Sequence, residues 1–378
     1  MTTLLNGIDN ISEVQELLKG LRCGLITNQT GVNKELLATG DLLAEHLACY
    51  FGPEHGIRGA VQDELHVGHS IDPITKLSVF SLFGDKLAPD AEMLDTLDCI
   101  IFDIQDVGVR FFTYAATMAL SMEAAYKHGK RFIVLDRYNP IGRTIQGILP
   151  GNNFRSFLSH LPVATRHGMT VGELAMMVKK LYCSNLDLHV VKLKGWNPNE
   201  MKSDGDTETL WIPPSPNMPT RQCSWVYPGT CLIEGTSISE GRGTTKPFEQ
   251  IGAPWLNAQE LAAVMNEKSL PGFLFRPIYF TPIEFKHKDI PCEGVQVHVT
   301  NPDIINPVRM GMHLIDALRS LSGEHFTWRF LPEYDNYMTD LLHGDDKLRC
   351  GAPLDEIFHQ MNHDEASFKK IAKEFYLY

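Results

Sequence analysis

The sequence predicts an α/β protein with a doubly wound, mostly parallel sheet in its first half and a smaller α+β unit after it. Three observations carry this expectation. Short apolar or β-branched runs alternate with amphipathic stretches as far as residue 193. A proline-rich stretch, WIPPSPNMPT at 211–220, then interrupts the alternation, and the remainder mixes strand-like and helix-like segments without it. Continuous apolar runs are the mark of strands buried on both faces, and strand–helix alternation places them side by side in one parallel sheet.

The strands are read in order at CGLIT (23–27), HLACYFG (46–52), LSVFSLFG (77–84), CIIFDIQ (99–105), RFIVLD (131–136) and LDLHVVKL (186–193). Between them KELLATGDLLAEHL (34–47), PDAEMLDTL (89–97), TYAATMALSMEAAYKHG (113–129) and TVGELAMMVKKLY (170–182) carry helical apolar spacing, the third closing on Gly129 as a C′ residue. After the prolines, 227–249 is glycine-rich without helical period. Beyond it, 274–285 and 294–300 read as strands, and 258–268 and 309–321 as helices. The 378 residues exceed one usual domain, so the expected division is a Rossmann-like catalytic domain at 1–229 and an α+β auxiliary domain at 230–378.

Composition removes several function classes. A formal charge of −12 does not advertise the basic surface that phosphate backbones require, so no nucleic-acid partner is expected. The eight cysteines are scattered without a CxxC pair and read as reduced, mostly buried thiols. MTTLLNGIDNISEVQELLKG has no basic region leading into an apolar one, and no run reaches bilayer length. The expectation is a soluble protein with no membrane partner, cytoplasmic as it stands, or periplasmic or secreted if the sequence is a trimmed mature form. No GxGxxG, GxxxxGK[ST] or GxSxG occurs, which leaves dinucleotides, nucleoside triphosphates and a serine triad without support, and no cofactor is expected.

In open α/β sheets ligands bind beyond the carboxyl ends of the strands, so the residues following each run are the candidates. They are Asn28 in TNQT, Glu54, His55 and Arg58 in GPEHGIRG, Asp103, Asp106, Arg110 and Tyr114 in the DIQDVGVRFFTY block, and Asp136-Arg137. Each has a plain structural alternative. Glu54 and Arg58 suit a surface pair, either aspartate a helix cap, and Arg110 a packed arginine. Past the junction Glu234 and Arg242 offer a third carboxylate and a second cation, or a salt bridge within a loop. His66 and His69 form HxxH, which with His55, Glu54 and Asp103 sketches a metal site, but no third ligand stands at a known spacing and no metal is assigned. His167, with Arg166, either lines the cleft or packs at a helix start.

Taken together, GLITNQTGV, FGPEHGIRG, IFDIQDVGVRFFTY, LDRYNPIG, FRSF, RHGMTVGELA, WIPPSPNMPT, YPGTCLIEGTSISEGRGT, KPFEQIGAPW and GVQVHVT resemble the family of exo-acting β-N-acetylmuramidases, in order from near Gly24 to Thr300. The resemblance implies a Rossmann-like domain, a smaller C-terminal domain and an active site in the cleft between them. It also implies release of terminal N-acetylmuramic acid (MurNAc) from MurNAc-GlcNAc and short peptidoglycan fragments in cell-wall turnover. The partners it implies are peptidoglycan-derived disaccharides and muropeptides, with the oligomeric state left open. The family's GPEHG glutamate corresponds to Glu54, and its EGTxxSxGRGT glutamate and arginine to Glu234 and Arg242. Glu240 departs from that pattern, where a small or apolar residue is expected.

Glycoside hydrolysis needs an acid for the leaving oxygen and a group that meets the developing oxocarbenium charge. Glu54 is the expected acid, Asp103 or Asp106 the second group, and Glu234 the third choice, with the substrate's 2-acetamido group a further nucleophile. The lactyl carboxylate calls for a guanidinium, nominated as Arg110 or Arg242. Asn28, His55, Arg58, Tyr114, His167 and Asn217 complete the expected substrate contacts, Trp211 and Asn217 walling the cleft for exo action. Two other readings are a metal-dependent hydrolase or deacetylase acting on cell-wall sugars, and a non-catalytic peptidoglycan-binding module.

Overall fold

The computed structural model describes residues 4–59, 69–199 and 210–378. In chain order the first part runs α1 (Ile11–Leu18), β1 (Cys23–Thr27), α2 (Thr39–Leu42), β2 (Leu47–Gly52), β3 (Ser70–Ile71), β4 (Ser78–Ser81), α3 (Ala91–Leu94), β5 (Cys99–Asp103), α4 (Tyr114–Lys127), β6 (Arg131–Leu135), α5 (Val171–Tyr182) and β7 (Leu188–Val191). Among the described residues the sheet order is β3-β4-β2-β1-β5-β6-β7, parallel except where β3 meets β4. The chain leaves β1 toward β2 and later returns to its other side as β5, so the topological switch point lies between β1 and β5.

β1 and β5 are buried at every position, which accounts for the unbroken apolar runs. Their side chains alternate between two cores. Ile26, Ile100, Phe102, Phe132 and Val134 pack with Met118, Met122, Leu174 and Val178 of α4 and α5. Leu25, Ile101, Ile133 and Leu135 pack with Val14 and Leu18 of α1 on the opposite face. Gly129 follows α4 at φ 65° as the expected C′ residue, and Thr170 opens α5 with a capping box closed by Glu173.

One expected helix is absent. Across 34–47 only α2 and a short 3-10 turn form. The side chain of Asn33 accepts from the backbone of Glu35 and Leu37, and Leu36 takes φ 63°, so local side-chain bonding turns the chain where apolar spacing alone favoured a helix.

The second part runs α6 (Arg221–Thr230), β8 (Gln250–Ala253), α7 (Ala258–Glu267), β9 (Phe273–Phe280), β10 (Cys292–Val299), α8 (Pro307–Ser322), β11 (Phe330–Leu331), β12 (Asn336–Tyr337), α9 (Met338–His343), α10 (Lys347–Cys350) and α11 (Leu354–Ala372). The three longer strands form an antiparallel sheet ordered β8-β10-β9. The start of the glycine-rich stretch belongs to α6 despite Pro228, because α6 crosses α8 at Gly229 and Gly311, where an added Cβ would overlap backbone of the facing helix. The expected division at 229/230 falls in the last turn of α6. The larger core continues across it, from Phe102 and Phe132 through Leu314, Leu341 and Ile357. The chain end returns to the first sheet, with Tyr378 Oη donating to Asp136 at 2.7 Å. Seven cysteines are buried, Cys350 is exposed and all eight are free thiols. Among the described residues no helix is long and apolar enough to cross a membrane.

Candidate active site

The turn after β2 aims the first carboxylate. His55 and Gly56 both take positive φ, 69° and 74°, and Gly56 N–H donates to Pro53 at 2.9 Å. Two consecutive left-handed residues reverse the chain within one step, and a non-glycine at such a φ costs about 1 kcal/mol that the surroundings must offset. Glu54 is thereby brought against the start of α4, where Thr113 Oγ1 donates to its Oε2 at 2.7 Å. Tyr114 Oη donates to Pro214 O at 2.6 Å, tying the proline-rich segment to the same corner.

The facing wall comes from the second part of the chain. A 3-10 turn at Cys231–Gly235 carries Glu234, and the loop after it carries Glu240 and Arg242. Arg242 Nη1 lies 2.5 Å from Glu234 Oε1 and 3.3 Å from Glu240 Oε1. Lys286, in the β9–β10 loop, lies 2.8 Å from Glu240 Oε2 and donates to the carbonyls of Ile233, Glu234 and Ile238. Burial works to raise the Glu240 carboxyl, but the ammonium of Lys286 and the guanidinium of Arg242 outweigh it and hold it at about 2. Glu240 is therefore an anion throughout the neutral range.

Between the walls lies a cavity of about 690 Å³, within the range of small-molecule sites. Glu54, Phe111, Thr113 and Phe157 line it from one side, and Tyr227, Glu234, Glu240, Arg242, Phe285, Lys286, Arg329, Glu333 and Tyr334 from the other. Behind Glu54 the space narrows to a pocket of about 50 Å³ bordered by His55, Tyr114, Ser215, Met218, Tyr227 and Arg242. Of the expected site residues, Glu54, Glu234, Arg242, His55 and Tyr114 are thus brought together.

The others are placed elsewhere, and their bonds say why. Asp103 is fully buried in an ion pair with Arg137, 2.5 Å to Nε and 3.0 Å to Nη2, and accepts from Thr39 as well. Asp106 accepts from Gly108 N at 2.6 Å and lies 3.3 Å from His167 Nε2, both side chains buried off the cavity. Arg110 gives its guanidinium to four carbonyls, those of Ile148, Val163, Leu342 and His343, at 2.6–2.9 Å. Its burial pushes its pKa down to about 9. Neither aspartate stands at the cavity as the expected second group, and Arg110 does not reach it as the expected carboxylate clamp. It joins the two parts of the chain instead. Arg58 binds buried Asp72 at 2.9 Å. Asn28 accepts from Thr30 N and Oγ1 and contacts Pro214 O at 3.4 Å. Asn217 is buried and Trp211 borders a different cavity, so neither walls the cleft as expected.

Thr113, Tyr227, Lys286, Arg329 and Glu333 line the cavity without having been singled out. Thr113 and Tyr227 sat inside quoted motifs, whereas Lys286 directly follows a strand-like run and Arg329 has no periodic neighbourhood. Among the described residues no cluster of three His, Cys, Asp or Glu side chains is disposed to hold a metal; His66 lies outside them and His69 stacks near Phe80.

Family models described as the N- and C-terminal parts of the exo-beta-N-acetylmuramidase NamZ match residues 23–222 and 225–378. The peptidoglycan beta-N-acetylmuramidase NamZ of Bacillus subtilis (strain 168) is 43% identical, over 98% of this chain and 91% of its own. Crystal structures of two DUF1343 family proteins from Bacteroides fragilis NCTC 9343 share the fold. One is 34% identical with a TM-score of 0.89, covering 100% of both chains. The other is 28% identical with a TM-score of 0.78, covering 100% of this chain and 99% of its own.

Proposed function

The chain belongs to the exo-β-N-acetylmuramidase family of glycoside hydrolases, and from that premise we propose that the cavity between Glu54 and Glu234 is where it releases terminal MurNAc from peptidoglycan-derived disaccharides and muropeptides. One observation carries the assignment. Glu54 and Glu234, contributed by opposite walls, are the two carboxylates shared by the family's motifs and the cleft cavity of about 690 Å³.

Glu54 is the general acid. Thr113 orients its carboxyl at the cavity wall, from which it presents a proton to the glycosidic oxygen. Glu234, paired with Arg242, is the anion facing the developing oxocarbenium charge, the role expected first of Asp103 or Asp106. Arg242, Lys286 and Arg329 give the same cavity a cationic side, which suits the lactyl carboxylate that distinguishes MurNAc from GlcNAc. Exo action accords with the narrowing behind Glu54, where a pocket of about 50 Å³ is far smaller than the small-molecule range of about 300–1,000 Å³.

The test is MurNAc release from MurNAc-GlcNAc in EDTA by wild type, Glu54→Gln and Glu234→Gln, with the fold followed by circular dichroism. Wild type is expected to turn over, and Glu54→Gln to lose about 10²–10⁴-fold in kcat. Undiminished release by Glu54→Gln would move the acid elsewhere, and a ladder of internal cleavage products from polymeric peptidoglycan would refute exo action.

A further inference from the structure

Beyond the carboxyl ends of β1, β5 and β6 lies a second cavity, of about 210 Å³, which shares no lining residue with the cleft. It sits at the β1/β5 switch point, where open α/β sheets bind their ligands, although the proposed chemistry has moved to the cleft. Its chemistry is set by Arg137, Gln105, Asp9 and Lys34, and its apolar wall by Trp211 and Tyr138.

Two of these side chains are almost fully buried yet incompletely bonded. The Arg137 guanidinium uses Nε and Nη2 on Asp103 and Val32 O, and among the described residues nothing accepts from Nη1. Gln105 uses Nε2 on the carbonyls of Asp106 and Tyr138, and among the described residues nothing donates to its Oε1. An open donor and an open acceptor on one cavity match a ligand that carries the complement of both. Asp9 adds a carboxylate whose oxygens, among the described residues, accept from the backbone of Asn6 and Lys34, so further lone pairs remain for a cation.

Arg137 is offset by Asp103, and Lys34 Nζ lies 3.6 Å from Glu35 Oε1, so among the described residues Asp9 has no cationic side chain paired with it, and a ligand that brings its own cation suits the lining better than a simple anion. The volume falls below the about 300–1,000 Å³ of drug-sized pockets, which suits a small ligand better than a disaccharide or a dinucleotide. We propose that this cavity binds a free α-amino acid, its carboxylate on Arg137 and its ammonium between Asp9 and Gln105.

Titration calorimetry of the full chain with glycine, L-alanine and D-alanine tests this, with D-lactate and acetate as ligands that lack the ammonium. At least one amino acid should bind saturably, with one site per chain, and both controls about tenfold more weakly or worse. Replacing Arg137 leaves Asp103 buried and unpaired and threatens folding, so the informative variants are Val32→Phe, which fills the cavity from a partly exposed position, and Gln105→Met. Both should weaken binding about tenfold or more, while Glu54→Gln leaves it unchanged. The proposal is overturned if none of the three amino acids binds wild type, if lactate and acetate bind equally well, or if Glu54→Gln abolishes binding that Val32→Phe retains. None of these outcomes bears on MurNAc release.

Discussion

Two clusters of charged residues, one beyond the strand ends and one across the cleft, are built from the same side chains and bonded nearly as completely. Around the sheet, Asp103 holds Arg137, Asp106 meets His167, and Arg110 ends on four carbonyls. In the cleft, Arg242 is shared by Glu234 and Glu240, and Lys286 by Glu240 and three carbonyls. Partner count does not separate them. Access does, because the cleft groups are bonded to one another along the wall of a cavity of about 690 Å³, whereas Asp103, Asp106 and Arg110 border none of that space. A charge that only stabilises and a charge proposed to meet substrate differ in what lies on their open side.

The sharpest way to break this comparison is to remove a carboxylate from each cluster. Glu54→Gln should cost about 10²–10⁴-fold in MurNAc release with an unchanged Tm. Asp103→Ala should do the reverse, costing about 3–5 kcal/mol in urea unfolding by leaving Arg137 buried without its anion, with kcat per folded molecule near wild type. A collapse of kcat in well-folded Asp103→Ala would return Asp103 to the reaction.

Arg110 and Arg242 make the same contrast between cations, with a smaller effect. Arg110→Met leaves buried carbonyls on both parts of the chain without their donor and should cost about 2–3 kcal/mol, read from the urea midpoint. Arg242→Met should instead raise KM for MurNAc-containing substrates while the urea midpoint moves less. Equal stability losses would show that Arg242, too, is chiefly structural.

These pairs also mark what the sequence could reveal. The long strands were legible because burial on both faces demands unbroken apolar runs, and α5 because its apolar residues recur at helical spacing. Arg110 and Arg242 were not separable, since each sits in a motif rich in glycine and acid. Arg110 is defined by carbonyls 232 and 233 positions away, which no local pattern encodes. The strand-end rule pointed to the β5–α4 connection, which borders the cavity through Phe111 and Thr113 and not through the aspartates it singled out. Thr113 reaches Glu54, while Asp106 turns inward to the Gly108 amide and His167. Lys286 was hidden for a related reason, because the loop that presents it takes positive φ at Phe285, His287 and Asp289, a shape sustained by tertiary contacts and not by residue type.

Glu240 allows a test by pH. Its folded pKa, held near 2 by Lys286 and Arg242 against burial, lies below the usual carboxylate value of about 4.3. Its contribution to stability is therefore fully present above that value and lost as pH falls toward 2. Urea midpoints from pH 6 down to 2.5 should fall more steeply for wild type than for Glu240→Gln. Parallel curves would mean that Glu240 is not held as the anion between the two cations.

The smallest effect is expected at Arg58, which stands in the same GPEHGIRG loop as Glu54 but pairs outside the cleft. Its guanidinium is about half exposed, so its bond to Asp72 is weakened by solvent, and Asp72 also accepts from Thr75 N at 2.9 Å and Thr75 Oγ1 at 2.8 Å. Burial works to raise the Asp72 carboxyl, but the bonds from Thr75 and Arg58 prevail and lower it. That stabilisation is present above the ordinary aspartate range and fades as pH falls through it. Arg58→Gln should thus cost no more than about 1 kcal/mol at pH 7, with the difference shrinking below pH about 4 as Asp72 protonates in both proteins. MurNAc release should stay within about twofold of wild type, because Asp72 and Arg58 border neither the cleft cavity nor the pocket behind Glu54. A large rise in KM for Arg58→Gln with an unmoved urea midpoint would place that guanidinium on the substrate, and would show that the boundary between the two clusters runs through the loop itself.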